Sequence, residues 1–230
     1  MASRGRNRRN KVSEVLVQKR VIRRKGPVVT FSGVEGVGKT SLASVAAEEL
    51  KRQGFRVRIL RLYPIPLKTT AKRVLDNLFR SALPATEKAT ARRISANIAT
   101  ALWKQTYFRL VCMVSGMVTR LLSARGIAVV CDRYVYDSLA ELLYEGRCDE
   151  NSFKKLAASI PAPDVAFLLR MKKETVHERR SNRAPEELCA FQEKYLKLTD
   201  IGDFWIVDTD DSRRAKMEVI GILSYAGRRW

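Results

Sequence analysis

Gly33-Val34-Glu35-Gly36-Val37-Gly38-Lys39-Thr40 decides the fold of this chain, with Val28-Val29-Thr30-Phe31 before it and Leu42, Val45, Ala46 and Leu50 after it. The leading four residues read as a buried strand, and the spacing of the trailing four predicts a helix. Between them stands the pattern G-x-x-x-x-G-K-[ST], a phosphate-binding loop. Its three glycines let the backbone curl so that successive N–H groups face phosphate oxygens. Lys39 reaches the β- and γ-phosphates of a nucleoside triphosphate, and the Thr40 hydroxyl is placed to hold Mg²⁺. The start of the following helix adds its own anion-binding dipole. Gly33, Gly36, Val37, Gly38, Lys39, Thr40 and Ser41 are therefore the candidate ATP-binding residues.

Size and charge frame this reading. A chain of 230 residues with 46% hydrophobic residues forms one domain, or one domain with an appendage, around a sizeable core. The longest apolar stretch, Leu110 to Val118, is bracketed by Arg109 and Arg120. It is too short to span a membrane and reads as a core helix. Cys112, Cys131, Cys148 and Cys189 are widely spaced, and His177 is the single histidine. That argues against a zinc site and for reduced thiols in a cytoplasmic compartment.

The formal charge is +20 at pH 7, and residues 1–26 hold ten Lys/Arg against the single acid Glu14. Three readings of this basic N-terminal arm stand side by side. It is a flexible segment making salt-sensitive contact with nucleic acid, a solvated tail, or an organelle transit peptide. Residues 27–230 form the second unit.

Along that unit strands and helices alternate. Arg56-Val57-Arg58-Ile59-Leu60 reads as a second strand, and a helical stripe covers 67–82. A long helical stretch runs from about Thr86 to Ala124, with Gly116 a candidate interruption and Gly126 its cap. Ile127-Ala128-Val129-Val130-Cys131 and Asp164-Val165-Ala166-Phe167-Leu168-Leu169 are wholly apolar or nearly so, as strands buried on both faces are. Helical patterns fill 174–181 and 185–198. Phe204-Trp205-Ile206-Val207 is a last strand before a helix from about Arg213 to Ala226. Such alternation predicts an α/β fold with a parallel sheet covered by helices on both faces.

In such a sheet, ligands lie beyond the carboxyl ends of the strands. Asp132-Arg133-Tyr134 emerges there, directly after an apolar strand. A carboxylate beside the phosphate loop can orient Mg²⁺ or its waters, and the guanidinium can fork onto a phosphate. The bland alternative is a surface ion pair between neighbours. Arg179-Arg180-Ser181-Asn182-Arg183 is the second basic cluster. Its arginines either close over a moving phosphoryl group or form a solvated charged face.

Taken together, these residues resemble the thymidylate kinases. The loop with Glu35 before its inner glycine is similar to that family's loop, and Asp132-Arg133-Tyr134 is similar to its Asp-Arg-Tyr signature. Pro163-Asp164, the arginine segment, Phe191…Tyr195-Leu196-Lys197-Leu198 and Ile206-Val207-Asp208 follow in the family's order. The resemblance covers roughly residues 27–226.

It implies a P-loop NTPase three-layer fold, with a five-stranded parallel sheet flanked by helices and a helical lid at about 172–186. It implies the reaction ATP + nucleoside monophosphate → ADP + nucleoside diphosphate, with Mg²⁺, and dTMP as the first expected acceptor. Lys39, Arg133, Arg179, Arg180 and Arg183 would be catalytic. Thr40 and Asp132 would serve the metal, and Glu35, Tyr107 and Arg133 the acceptor. Residues 209–212 would border the adenine, and the family's frequent dimers imply a homodimer. Read without the resemblance, Tyr107 is equally a core aromatic.

The chain departs from the family pattern at several places. Val111 stands where an arginine is expected, Arg61-Leu62-Tyr63-Pro64 replaces the acceptor-phosphate motif, Ser138 is displaced by one residue, and Leu142 stands at a glutamine position. Two further functions therefore stay open. One is a kinase acting on a nucleoside or a polynucleotide 5′ end, the other a nucleic-acid-associated protein that binds ATP.

Overall fold

The computed structural model of the protein describes residues 25–62, 106, 108–172, 174–175 and 184–230. Within them, β1 (Val28–Ser32), β2 (Arg56–Leu60), β3 (Ile127–Asp132), β4 (Val165–Arg170) and β5 (Trp205–Asp208) form one sheet in the order β2-β3-β1-β4-β5. Every pairing is parallel. The helices are α1 (Lys39–Arg52), α2 (108–124), α3 (Val135–Tyr144), α4 (Glu150–Ala157), α5 (Pro185–Leu196) and α6 (Ser212–Ala226).

Strand order and chirality decide which helix covers which face. The chain crosses from β1 to β2 in one direction, then returns through β3, β4 and β5 in the other. Right-handed crossovers therefore place α1 on one face and α2 to α5 on the opposite one. The helix contacts agree, since α6 packs on α1 while α3 packs on α4 and α5. The three inner strands are apolar because both their faces are covered. All five residues of β1 are buried, and Phe31 stacks on its neighbour Phe167 with ring centroids 4.8 Å apart. The edge strand β2 carries charge instead, with Arg56 and Arg58 exposed.

The expected strands agree closely with those observed, with β4 and β5 each starting one residue later than expected. Asp164 is occupied elsewhere, accepting the Val28 N–H at 2.7 Å and so joining the starts of β1 and β4. Two elements, α3 and α4, carry no expectation. Both begin on a side-chain carboxylate: Asp149 accepts from Ser152 N–H at 2.7 Å, and Asp137 accepts from Tyr134 N–H at 3.0 Å.

Helix α2 corrects two expectations. Gly116 does not interrupt it. A Cβ there would lie 2.4 Å from Cγ of Pro161, so the glycine permits close approach of the Pro161 segment. Nor is the 110–118 stretch a core helix in the expected sense. Cys112, Ser115 and Thr119 point inward, while Leu110, Met113, Val114 and Met117 are exposed. Inward space is limited by Pro161, so the small residues face the core and the large ones face out. The expected helix at 67–82, the arm over residues 1–24 and most of the lid segment lie outside the described residues.

Candidate active site

Strand β1 ends at the phosphate loop, and two glycines there have no substitute. Gly33 holds φ at 149°, and a Cβ on it would meet the Leu169 carbonyl oxygen at 2.8 Å. Gly38, at φ 99°, turns the chain into α1. That helix has no side-chain cap and no acidic residue in its first turn. Its opening N–H groups, at Lys39, Thr40 and Ser41, have no partners inside the helix and face the loop. With the helix dipole, they form a seat for an anion.

Lys39 crosses this seat from within. It is only 5% exposed, and its Nζ donates to the carbonyl oxygens of Gly33 at 2.5 Å and Val34 at 2.7 Å. Burial brings its ammonium group down to about 8, against the pull of the Asp137 carboxylate. Val37 packs into the core, its N–H bonded to the Val34 carbonyl at 3.4 Å, whereas Gly36 and Ser41 are exposed.

Beside the loop, β3 delivers Asp132. Its Oδ2 accepts two hydrogen bonds, from Thr40 Oγ1 at 2.8 Å and from Arg61 Nε at 3.0 Å. Its Oδ1 is buried with no hydrogen-bond partner. A buried orphan oxygen beside a hydroxyl suits a hard, hydrated cation such as Mg²⁺, which takes one or two carboxylates and completes its shell with phosphates and waters. The residues present fit the ion.

Arg133 follows at φ 76°, a left-handed conformation held by its N–H bond to the Phe31 carbonyl. An open cleft of about 430 Å³ is lined by Glu35, Thr40, Arg61, Asp132 and Arg133.

Four residues expected from the sequence thus meet in one cleft, with Lys39 beneath it. Asp132 is not paired with its neighbour Arg133 in a surface ion pair; its salt-bridge partner is Arg61. The sheet register explains why. Leu60 lies beside Cys131, so the residues that follow them along the two strands, Arg61 and Asp132, also lie side by side. Beyond β5, Thr209 is buried and bonded to the Arg170 carbonyl, which sets residues 209–212 at the same edge of the sheet. Arg179, Arg180, Arg183 and Tyr107 lie outside the described residues.

One functional candidate has no counterpart among the expected site residues. Asp137, 2% exposed, accepts from the Ser32 hydroxyl at 2.9 Å, the Tyr134 N–H at 3.0 Å and the Tyr195 hydroxyl at 3.0 Å. Burial pushes its carboxyl group up, opposed first by Lys39 and then by these donors. It ties the strand before the phosphate loop to α3 and α5. The sequence holds one signal, an acid at the third helical position after a strand end, which is where a helix-capping carboxylate stands.

A family model described as thymidylate kinase matches residues 31–213. The chain belongs to the thymidylate kinase family. It is similar to a probable thymidylate kinase of Archaeoglobus fulgidus, at 27% identity over 74% of this chain and 79% of that protein. A probable thymidylate kinase of Sulfurisphaera tokodaii shares 23% identity over 78% of this chain and 86% of its own. Among solved structures, the thymidylate kinase of Candida albicans superposes with a TM-score of 0.53 at 17% identity, covering 87% of this chain and 92% of that one. That of Ehrlichia chaffeensis also gives 0.53, at 18% identity over 86% and 99%. These superpositions establish the P-loop fold. As a thymidylate kinase family member the protein is a phosphotransferase, of the nucleoside monophosphate kinase class.

Proposed function

We propose that the protein transfers the γ-phosphoryl group of ATP to a nucleoside monophosphate, with dTMP the first acceptor. The observation carrying this is one cleft that gathers Glu35 and Thr40 of the phosphate loop with Arg61, Asp132 and Arg133, and Lys39 buried within the loop beneath it. Thr40 and Asp132 would hold Mg²⁺, which would supply positive charge to the donor phosphates when bound.

The protein's share of the work is placement. An acceptor phosphate is already anionic, so no strong general base is needed; orientation and charge neutralisation carry the rate. Lys39 neutralises the donor phosphates, and Arg133 meets the group in transfer. Arg179, Arg180 and Arg183 close over it as a lid and exclude water. Glu35 accepts a hydrogen bond from the acceptor's sugar hydroxyl, and Tyr107 stacks on its base. Arg61 takes the place of the altered acceptor-phosphate motif, its position beside Asp132 supporting this assignment.

Incubation with ATP, Mg²⁺ and each ribo- and deoxynucleoside monophosphate tests the reading. A diphosphate product from dTMP is expected, and Lys39→Ala lowers turnover at least a hundredfold while the protein stays folded. Turnover of an oligonucleotide 5′ end, with none of any monophosphate, contradicts the assignment.

Two partner proposals accompany it. The outward face of α2 presents Leu110, Met113, Val114, Met117 and Leu121, all 44% exposed or more. Doubled across a two-fold axis, such a stripe approaches the roughly 1,000 Å² that a specific interface needs, which supports a homodimer. The basic arm supports non-specific nucleic-acid contact. Binding to single-stranded DNA that weakens steeply with salt and vanishes without residues 1–26 is the expected result. No helix among the described residues is long and apolar enough to cross a membrane. Work on nucleotide pools is consistent with a cytoplasmic location.

A further inference from the structure

Asp132 is almost fully buried, with its side chain 4% exposed, and it cannot move far. Arg61, on the same oxygen, has a side chain 68% exposed and is free to swing. Thr40 holds that oxygen as well, at 2.8 Å, from the first turn of α1 where the phosphates of a nucleotide arrive. A divalent cation on Thr40 would therefore stand next to the Arg61 guanidinium. Like charges at that separation repel.

We infer that Arg61 and a magnesium-bound nucleotide compete for Asp132, so that filling the phosphate loop releases Arg61 toward the acceptor side of the cleft. The inference rests on the function proposed above and assigns Arg61 a second task there. In the structure Arg61 is the counter-ion of a buried carboxylate that already has one unpaired oxygen. Once the cation takes over that duty, the guanidinium turns to the anion nearest it, the acceptor phosphate. Linkage makes the effect reciprocal, so acceptor and magnesium nucleotide each raise the affinity for the other by the same factor. An ion pair with one exposed partner is weak, which bounds the effect at about two- to fivefold.

Calorimetry on the full chain tests this, with ADP as probe in excess Mg²⁺ and again in chelator. Removing Arg61 also removes a charge attractive to any nucleotide, so the informative quantity is the tightening that Mg²⁺ brings. That tightening should grow about two- to fivefold in Arg61→Ala and Arg61→Gln, and stay at the wild-type level in Arg61→Lys. In the wild type, Mg·ADP should strengthen dTMP binding by a similar factor, and Arg61→Gln should abolish that gain. An unchanged or smaller magnesium effect in both neutral variants, in folded protein that still binds ADP, overturns the inference alone. Wild-type protein that binds no Mg·ADP overturns it together with the proposed function. Arg61→Gln keeps the size and N–H donors, so it serves if Arg61→Ala does not fold.

Discussion

Arg133 occupies a left-handed backbone conformation that costs a non-glycine residue about 1–2 kcal/mol. The Phe31 carbonyl holds it there, at the point where the side chain enters the cleft. Arg133→Gly should thus leave the fold as stable as before, or up to about 1 kcal/mol more stable, while turnover falls at least a hundredfold. Urea unfolding and steady-state assays separate the two effects, and a loss of stability equal to the loss of activity would contradict the assignment. Lys39 gives a second residue-scale expectation. Its folded value near 8 lies below the ordinary 10.5, so its stability contribution is present above pH 10.5 and lost as pH falls through 8. Phosphate binding runs the other way, because it needs the charged form. Mg·ADP affinity should hold steady from pH 6.5 to 7.5 and weaken above about 8, by no more than tenfold per pH unit. Affinity unaltered up to pH 9.5 would show that the lysine stays charged.

Among the elements, α2 is the one whose two faces are reversed in size. Past Phe108, its inner face is made of Cys112, Ser115, Gly116, Thr119 and Ser123, and its outer face carries leucine, methionine and valine between Arg109 and Arg120. An exposed apolar face of this kind marks a candidate interaction surface, and the proposed homodimer would cover it. Met113→Asp with Met117→Asp should yield a monomer by sedimentation analysis while the circular dichroism stays unchanged. A wild-type protein already monomeric at micromolar concentration would remove the interface. The inner face makes a separate demand. Gly116→Ala gains up to about 1 kcal/mol in helix propensity but drives a methyl into Pro161. Overpacking costs about 1–3 kcal/mol, so the variant should be net destabilised in urea titrations.

At the scale of the whole molecule, the buried thiols and phenols among the described residues should weaken stability at the alkaline end. Burial pushes Cys112 and Cys148 up to about 11, and Cys131 and Tyr136 up to about 12. In the unfolded chain these groups ionise nearer 9 and 10. Raised values of this kind stabilise fully below about pH 9, and the contribution is lost as pH rises toward 11 and 12. Lys39 opposes the trend only between about 8 and 10.5. The urea midpoint should therefore fall between pH 9 and 11, and Cys131→Ala should flatten that fall relative to its own value at pH 8. A midpoint independent of pH in this range would mean the thiols are solvated in the native state.

Strand positions, their parallel arrangement and the phosphate loop were legible from the residues alone. These are local patterns: short apolar runs, and glycines at positions that only glycine can occupy, such as Gly33 against Leu169. Asp132 could be placed in the cleft because it ends a strand, and strand ends define that edge of the sheet, while Thr40 came from the phosphate-loop motif and Glu35 from the family resemblance. Arg61 could not be assigned, because its place depends on the register of β2 against β3, where a shift of one residue would turn it away. Asp137 escaped for a related reason. Only its contact with Tyr134 is local; its hydroxyl donors Ser32 and Tyr195 come from β1 and α5, and no spacing along the chain records that they converge on it. The outward face of α2 likewise follows from Pro161 lying behind Gly116. Chemistry held within one turn or one strand is written in the order of residues, whereas a contact between distant segments exists only once packing has brought them together.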